Sequence, residues 1–248
     1  MEKVIKTLMN YSKQIDLKER FDFNFDVSNN IFNSAEKKQL IVKKNAFEQN
    51  VSLKWILSEK YKNSSEQNLI DFWIINNWGG IRGFKSNDRN VDKVRRFKNQ
   101  LLKRKLSLDC FSTISSLSKI SSFIDPDKFV IYDSRVIYTL NWLILTCENQ
   151  NGLKHKYFPM PSGRNKIIVD FDINTIVNLS HIKEYEKQEE LYVKPQIAYF
   201  EFCDFIKLNS KLICGNNAKP YELEMLLFTL ANKEIFMDLK EKIKITTN

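Results

Sequence analysis

The chain has 248 residues, with 39 Lys and Arg against 30 Asp and Glu, a formal charge of +9. Hydrophobic residues at 43% and aromatics at 12% exclude a disordered chain and allow one large unit, or two intimate lobes, around a real core. The positive balance makes a polyanion the expected partner. No apolar run approaches the ~18 residues of a membrane span and no secretory leader opens the chain, so no membrane partner and a cytoplasmic location are expected.

In chain order, residues 1–34 open with a short helix. Phe21-Asp-Phe-Asn-Phe-Asp26 then alternates aromatic and polar residues, the pattern of a brief strand or of an extended arm packed on the body. Ser34 introduces a long helix over 36–61, with Leu40, Phe47, Val51 and Trp55 on one side. Ser64-Ser65 opens another, carrying Leu69, Phe72, Trp73 and Asn76. It ends in Asn77-Trp78-Gly79-Gly80-Ile81-Arg82-Gly83, where three of the chain's six glycines gather. Such a loop either presents Trp78 and Arg82 to a nucleic acid, or is a glycine-terminated helix end whose Trp returns to the core.

The most basic helix is expected over 89–105. Val91, Val94, Phe97 and Leu101 form its apolar face, and Arg89, Lys93, Arg95, Arg96, Lys103 and Arg104 lie mainly on the other, a solvated face or a phosphate-binding one. Next come Ile114, Leu117, Ile120 and Ile124 at helical spacing, Pro126 as a helix stop, and the apolar run Phe129-Val-Ile-Tyr132. Asp133-Ser134 then precedes a second apolar helix with Val136, Ile137, Leu140, Leu143 and Ile144. Asp133 is therefore a candidate N-cap, accepting backbone N–H bonds at the positive end of a helix.

Residues 152–166 read as a loop in which Ser162-Gly163-Arg164 presents a cation, and Ile167–Phe171 is short and strand-like. Helical patterns return over 175–192, 195–213 and 220–243. Ile197, Phe200, Cys203 and Ile206, then Leu223, Leu226, Leu227, Leu230 and Phe236, read as core stripes without chemistry. The expected fold class is mainly α with at most a minor β element.

Several familiar chemistries lack residues to run on. Cys110, Cys147, Cys203 and Cys214 form no C-x-x-C pair, and His155 and His181 stand apart from them, so no metal site is expected. No Ser sits in a glycine-flanked elbow and no glycine-rich loop is present, so neither a Ser-His-Asp apparatus nor a nucleotide cofactor is expected. Asp125-Pro126-Asp127-Lys128 suggests a metal-dependent nuclease, but it lacks the flanking strand-borne acids and its Asp-Pro-Asp looks like turn chemistry.

The stretch Ser118 to Ile137, a helix, a turn, an apolar approach and an Asp opening a helix, resembles the helix-hairpin-helix DNA glycosylases of base excision. Ile131-Tyr132-Asp133-Ser134-Arg135-Val136 is the part most similar to that family. More loosely, it resembles bacterial proteins with an Asp-Ser-Arg-Val helix start, some read as phage-defence glycosylases acting on modified bases. The resemblance implies two helical lobes with the site between them near 112–147. It implies double-stranded DNA with an extruded base as substrate, cleavage of the N-glycosidic bond, and a role for Asp133 in facing the positive charge that develops on the sugar. It also places Lys119, within Ser118-Lys-Ile-Ser-Ser-Phe-Ile124, in the position of the lysine that forms a Schiff base in members with lyase activity. The family's glycine-rich hairpin is replaced by Ile114-Ser-Ser-Leu-Ser118, so Ser116 and Ser118 would supply contacts made there by backbone amides. Arg135 would bind phosphate or pair with Asp133, Arg82, Arg95, Arg96 and Arg164 would add phosphate contacts, and Trp78 and Tyr132 would stack on bases. A non-catalytic helical DNA-binding protein is the alternative of another class, and a helical protein-interaction adaptor is a further one.

Overall fold

A computed structural model describes residues 1–28, 31–63, 65–150, 152–163, 165–182 and 191–243. The protein is mainly helical, and among the described residues the only β element is a single bridge between Tyr157 and Tyr192. The N-terminal part contains α1 (Glu2–Gln14), α2 (Leu17–Arg20), α3 (Ser34–Ile41), α4 (Ala46–Asn63) and α5 (Gln67–Trp73), which runs on as a π turn over Ile74–Trp78. The middle contains α6 (Asp88–Lys103), α7 (Leu108–Phe111), α8 (Ile114–Ile124) and α9 (Ser134–Leu143), again extended by a π turn, Ile144–Glu148. Short α10 (Lys166–Asp170) and α11 (Ile173–Ser180) precede α12 (Pro195–Cys214) and α13 (Pro220–Leu230). A third π turn, Ala231–Ile235, joins α13 to α14 (Phe236–Lys242).

α8 and α9 form the centre. Ser116 to Phe123 of α8 are buried on every side, as are Val136 to Leu143 of α9. α8 lies against α4 and the Ile74–Trp78 turn, while α9 lies against α13. One continuous apolar core runs through both, from Val4 to Leu239, and a small satellite gathers Phe21, Tyr221 and Met225.

Burying a serine-rich helix requires partners for each hydroxyl. Ser118 Oγ accepts the Tyr132 N–H at 2.9 Å, Ser121 Oγ meets the Tyr199 hydroxyl at 2.6 Å, and Ser122 Oγ bonds back to the Lys119 carbonyl at 2.8 Å. The Tyr199 hydroxyl also donates to the Val130 carbonyl at 3.0 Å. These bonds hold the extended run 129–132 against α8 and fix where α9 begins. Asp125 is non-helical (φ −143°, ψ 87°), as expected of a residue before proline.

Three expectations change. The helix expected over 36–61 is broken at 42–45, because Asn45 turns its side chain onto the Glu48 N–H (2.8 Å) and restarts the helix there. Ile167–Phe171 is not a strand; Asn165 caps Ile168 N at 3.2 Å and the segment closes one helical turn, local capping outweighing the β preference of Ile-Ile-Val. Tyr132 is fully buried, its hydroxyl donating to the Pro159 carbonyl at 2.8 Å, so it supports the core and cannot stack on a base. The segment 21–26 is the extended arm of the two options open for it.

Candidate functional site: a cleft between α8, α9 and α13

α8 and α9 deliver their polar ends into one cleft of about 710 Å³, a size suited to a small organic ligand. Thr113, Ser115 and Ser116 from the start of α8 form one wall, and Gly79, Gly80 and Ile81 border it. Asp133, Ser134 and Arg135 from the start of α9 form another, beside Ser162, Gly163 and Asn165. Gly163 is required by close approach: a Cβ there would lie 2.4 Å from Ser134 Oγ.

Lys119 and Asp133 meet on the floor. Asp133 is the N-cap of α9, its Oδ1 accepting the Arg135 N–H at 2.9 Å, which leaves Oδ2 facing Lys119 Nζ at 3.6 Å. Lys119 also donates to the Ser115 carbonyl at 2.7 Å, and its side chain is only 8% exposed. Its stem crosses directly over Gly79, where a Cβ would come within 2.9 Å of Lys119 Cδ. Arg135 stacks on Phe228, 4.5 Å from guanidinium carbon to ring centroid, and among the described residues no carboxylate pairs with it.

Behind Lys119 and Asp133 the cleft narrows into a recess of about 40 Å³, walled by Phe21, Phe23, Trp78, Met225 and Phe228. Trp78 is therefore buried rather than presented on a loop. Its indole N–H donates to Asn50 Oδ1 at 2.8 Å, and Asn50 Nδ2 holds the Phe23 carbonyl at 2.7 Å, so one side chain fastens the arm to the Trp. The π turn over Ile74–Trp78 rotates the helix end inward, a distortion frequent at functional sites.

At the back of the recess lie Lys54 and Glu224, 4.0 Å apart and both almost fully buried. Burial pushes the Glu224 carboxyl up to about 7. The nearby Lys54 ammonium and the Ile131 backbone amide oppose that rise, Asp133 adds to it, and Lys119 opposes it. Burial pushes the Lys54 ammonium down, against the attraction of Glu224. The two carboxylates and two lysines thus form one interacting set on four different helices.

Of the other residues singled out in the sequence, Ser116 lines the cleft, while Ser118 is buried and holds Tyr132. Arg82 is exposed beside the lining residues Gly80 and Ile81. Arg95 and Arg96 do not line the cleft. Asp92 engages both, at 2.5 and 2.9 Å, and Asp109 takes Arg96 (2.9 Å) and Lys93 (2.8 Å), which neutralises much of the basic face of α6. Arg164 falls outside the described residues, although its neighbours Gly163 and Asn165 border the cleft.

Sequence reasoning passed over Lys54, Glu224, Phe23, Phe228 and Asn50. α13, read as a core stripe alone, carries Glu224 and Phe228 into the site. The available signal was a charge inside an apolar run, Leu53-Lys54-Trp55-Ile56-Leu57 and Leu223-Glu224-Met225-Leu226-Leu227, since a fully buried Lys or Glu is rare without a partner. Among the described residues no group of His, Cys, Asp and Glu could hold a metal ion, and no helix is long and apolar enough to cross a membrane. No protein-family model, no curated protein and no solved structure matches the chain, so the functional reading rests on the geometry of this cleft.

Proposed function

We propose that the protein is a DNA glycosylase that draws a modified or damaged nucleotide into the cleft and cleaves its N-glycosidic bond. The observation that carries this reading is the meeting of Lys119 Nζ and Asp133 Oδ2, 3.6 Å apart, between an open polar cleft and an aromatic recess that both residues share. The cleft takes the sugar and its phosphates, with the Arg135 guanidinium and the hydroxyls of Thr113, Ser115 and Ser116 as donors. The base enters towards the recess, extruded from the duplex at a cost of a few kcal/mol.

Asp133 then faces C1′ of the sugar. As the C1′–N bond lengthens and the base leaves with the bonding pair, positive charge grows on the sugar and the carboxylate stabilises it. The cap bond from Arg135 N holds that carboxylate in place beforehand. In the lyase branch Lys119 passes a proton to Asp133, which hands it to the departing base; the Nζ amine bonds to C1′, and transfer of one of its remaining protons to O4′ as the C1′–O4′ bond breaks leaves a Schiff base on Nζ. In the hydrolytic branch water attacks instead and Asp133 takes its proton. A net charge of +9 supports an anionic polymer as substrate.

The test is base release from DNA carrying a panel of modified and damaged bases, read by mass of the freed base. The wild type releases base from at least one substrate, Asp133→Asn releases none, and chelators have no effect. Borohydride traps a covalent DNA adduct with the wild type and not with Lys119→Gln. Salt-sensitive DNA binding without base release from any substrate would instead establish a non-catalytic DNA-binding protein.

A further inference from the structure

The recess contains two ionisable groups that the fold itself leaves short of partners. Glu224 is 4% exposed, and its Oε2 has no hydrogen-bond partner among the described residues. Lys54 is 1% exposed, and its ammonium has one long bond, 3.4 Å to Ser122 Oγ, besides its position over the Phe123 and Tyr221 rings. The two charges approach no closer than 4.0 Å, beyond hydrogen-bond length. A buried ion pair made for stability closes this gap, because each unsatisfied charge costs several kcal/mol of desolvation. Here both groups line or back onto a space walled by Phe23, Trp78 and Phe228.

We propose that Lys54 and Glu224 form a specificity element for a planar heterocycle with a lactam edge, a ring N–H beside an exocyclic carbonyl oxygen. Glu224 Oε2 accepts the ring N–H, and Lys54 Nζ donates to the carbonyl oxygen. The recess, at about 40 Å³, takes that edge alone, and the rest of the ring rests on the edge-to-face pair of Phe23 and Phe228 at the cleft floor. A lactam carries its acceptor on an oxygen that projects beyond the ring towards the ammonium. An amidine edge carries it on a ring nitrogen, set back from the same group. A ring whose N–H is methylated leaves the carboxylate unpaired, and sites built to pair a buried polar group discriminate strongly on that ground. The proposal rests on the glycosylase reading for its biological substrate, but free bases test it separately.

Calorimetric titration with uracil, hypoxanthine, 1-methylcytosine (whose ring carries no N–H) and 1,3-dimethyluracil is the experiment. Wild type is expected to bind uracil and hypoxanthine at least about tenfold more tightly than the other two, a difference of about 1.4 kcal/mol. The double variant Lys54→Met/Glu224→Leu replaces the pair by apolar groups of similar shape, which proteins commonly tolerate, and should bind all four alike. If that variant does not fold, Glu224→Met, which removes the acceptor altogether, decides, and a tenfold preference retained in it overturns the proposal. Equal binding of all four bases by wild type also overturns it. Base release from DNA without any free-base preference sinks the recess and leaves the glycosylase standing; a lactam preference without base release from any DNA does the reverse.

Discussion

Gly79 and Gly80 are neighbours in one loop, yet alanine should fail at each for a different reason. Gly79 has helical backbone angles (φ −79°, ψ −8°), so alanine there meets no backbone strain and recovers about 0.5–1 kcal/mol of chain entropy. Its Cβ, however, would lie 2.8 Å from the Ile75 carbonyl oxygen, 3.0 Å from that of Ile74 and 2.9 Å from Lys119 Cδ. The two carbonyls are fixed by bonds from Ile81 N (3.0 Å) and Gly79 N (2.8 Å). The lysine stem is the part that can yield. Overpacking of this kind costs about 1–3 kcal/mol, so Gly79→Ala should lose a net ~1–2 kcal/mol. In a protein of this size that lowers Tm by roughly 2–8 °C.

Moving Lys119 by a fraction of an ångström also misplaces Nζ relative to Asp133. Misplacement on that scale costs up to about 100-fold in rate. Gly80 is the opposite case. Its φ of +65° is the left-handed region, and a Cβ there meets nothing within 4 Å. Gly80→Ala should cost about 1 kcal/mol in strain and leave the adduct-forming rate within about twofold, because no site atom moves. Urea unfolding measures the first quantity and single-turnover borohydride trapping the second. Trapping at the wild-type rate by folded Gly79→Ala, or an equal loss in Gly80→Ala, would refute the steric reasoning.

Other expectations follow from the same geometry. Asp133→Asn should keep Tm within about 2 °C, because Asn caps a helix as well as Asp, while base release disappears. Asn50→Ala leaves the Trp78 indole N–H buried without an acceptor and releases the Phe23 carbonyl, and chemical unfolding should register a loss of about 1–3 kcal/mol. Arg135→Ala removes a cation that no carboxylate pairs among the described residues and should lower the slope of log affinity for DNA against log salt by about 1 in a binding titration.

The last expectation concerns pH. Glu224 is raised from 4.5 to about 7, so the folded state binds more protons than the unfolded one between those values, and its contribution to stability is lost as pH rises through that window. At about 1.4 kcal/mol per unit the loss is ~3 kcal/mol. Lys54, Lys119 and Asp133 face Glu224 and remain in both proteins. Unfolding at pH 4.5 and pH 7.5 should therefore show Glu224→Gln losing less stability than wild type, and equal losses would show that Glu224 does not hold its proton.

The helices were largely legible because their apolar residues repeat at helical spacing and their ends carry strong signals. Pro126 and Asp133 bracket the central turn, whereas α3 is capped reciprocally by Asn33 and Glu36, one residue before the Ser34 that the sequence offered as its start. Asp133 and Lys119 could be singled out because they belong to one contiguous stretch. Lys54 and Glu224 could not be paired, since nothing local links residues so far apart in the chain. Their neighbours read as core, and only the packed structure brings them to 4.0 Å. Trp78 was ambiguous for a related reason: a glycine pair after a helix is compatible with an exposed or a returning side chain, and the Asn50 acceptor that decides it lies on α4. On α6, counting cations overstated the basic face, because Asp109, which takes up Lys93 and Arg96, comes from the next helix.

The convergence of four helices on one recess also bears on how the protein reaches its working state. Lys54, the Lys119–Asp133 pair and Glu224 are separated by long stretches of chain, and closing such loops is slow and is rewarded only when the final contacts form. Docking of α13 is the step that brings Glu224 to Lys54 and Phe228 to Arg135. Without α13 the recess would lack its Met225 and Phe228 walls and the counter-charge for a buried lysine. Because those two deficits arise together, assembly of the recess is coupled to the docking of α13, and a chain without that docking has no paired charges at its back.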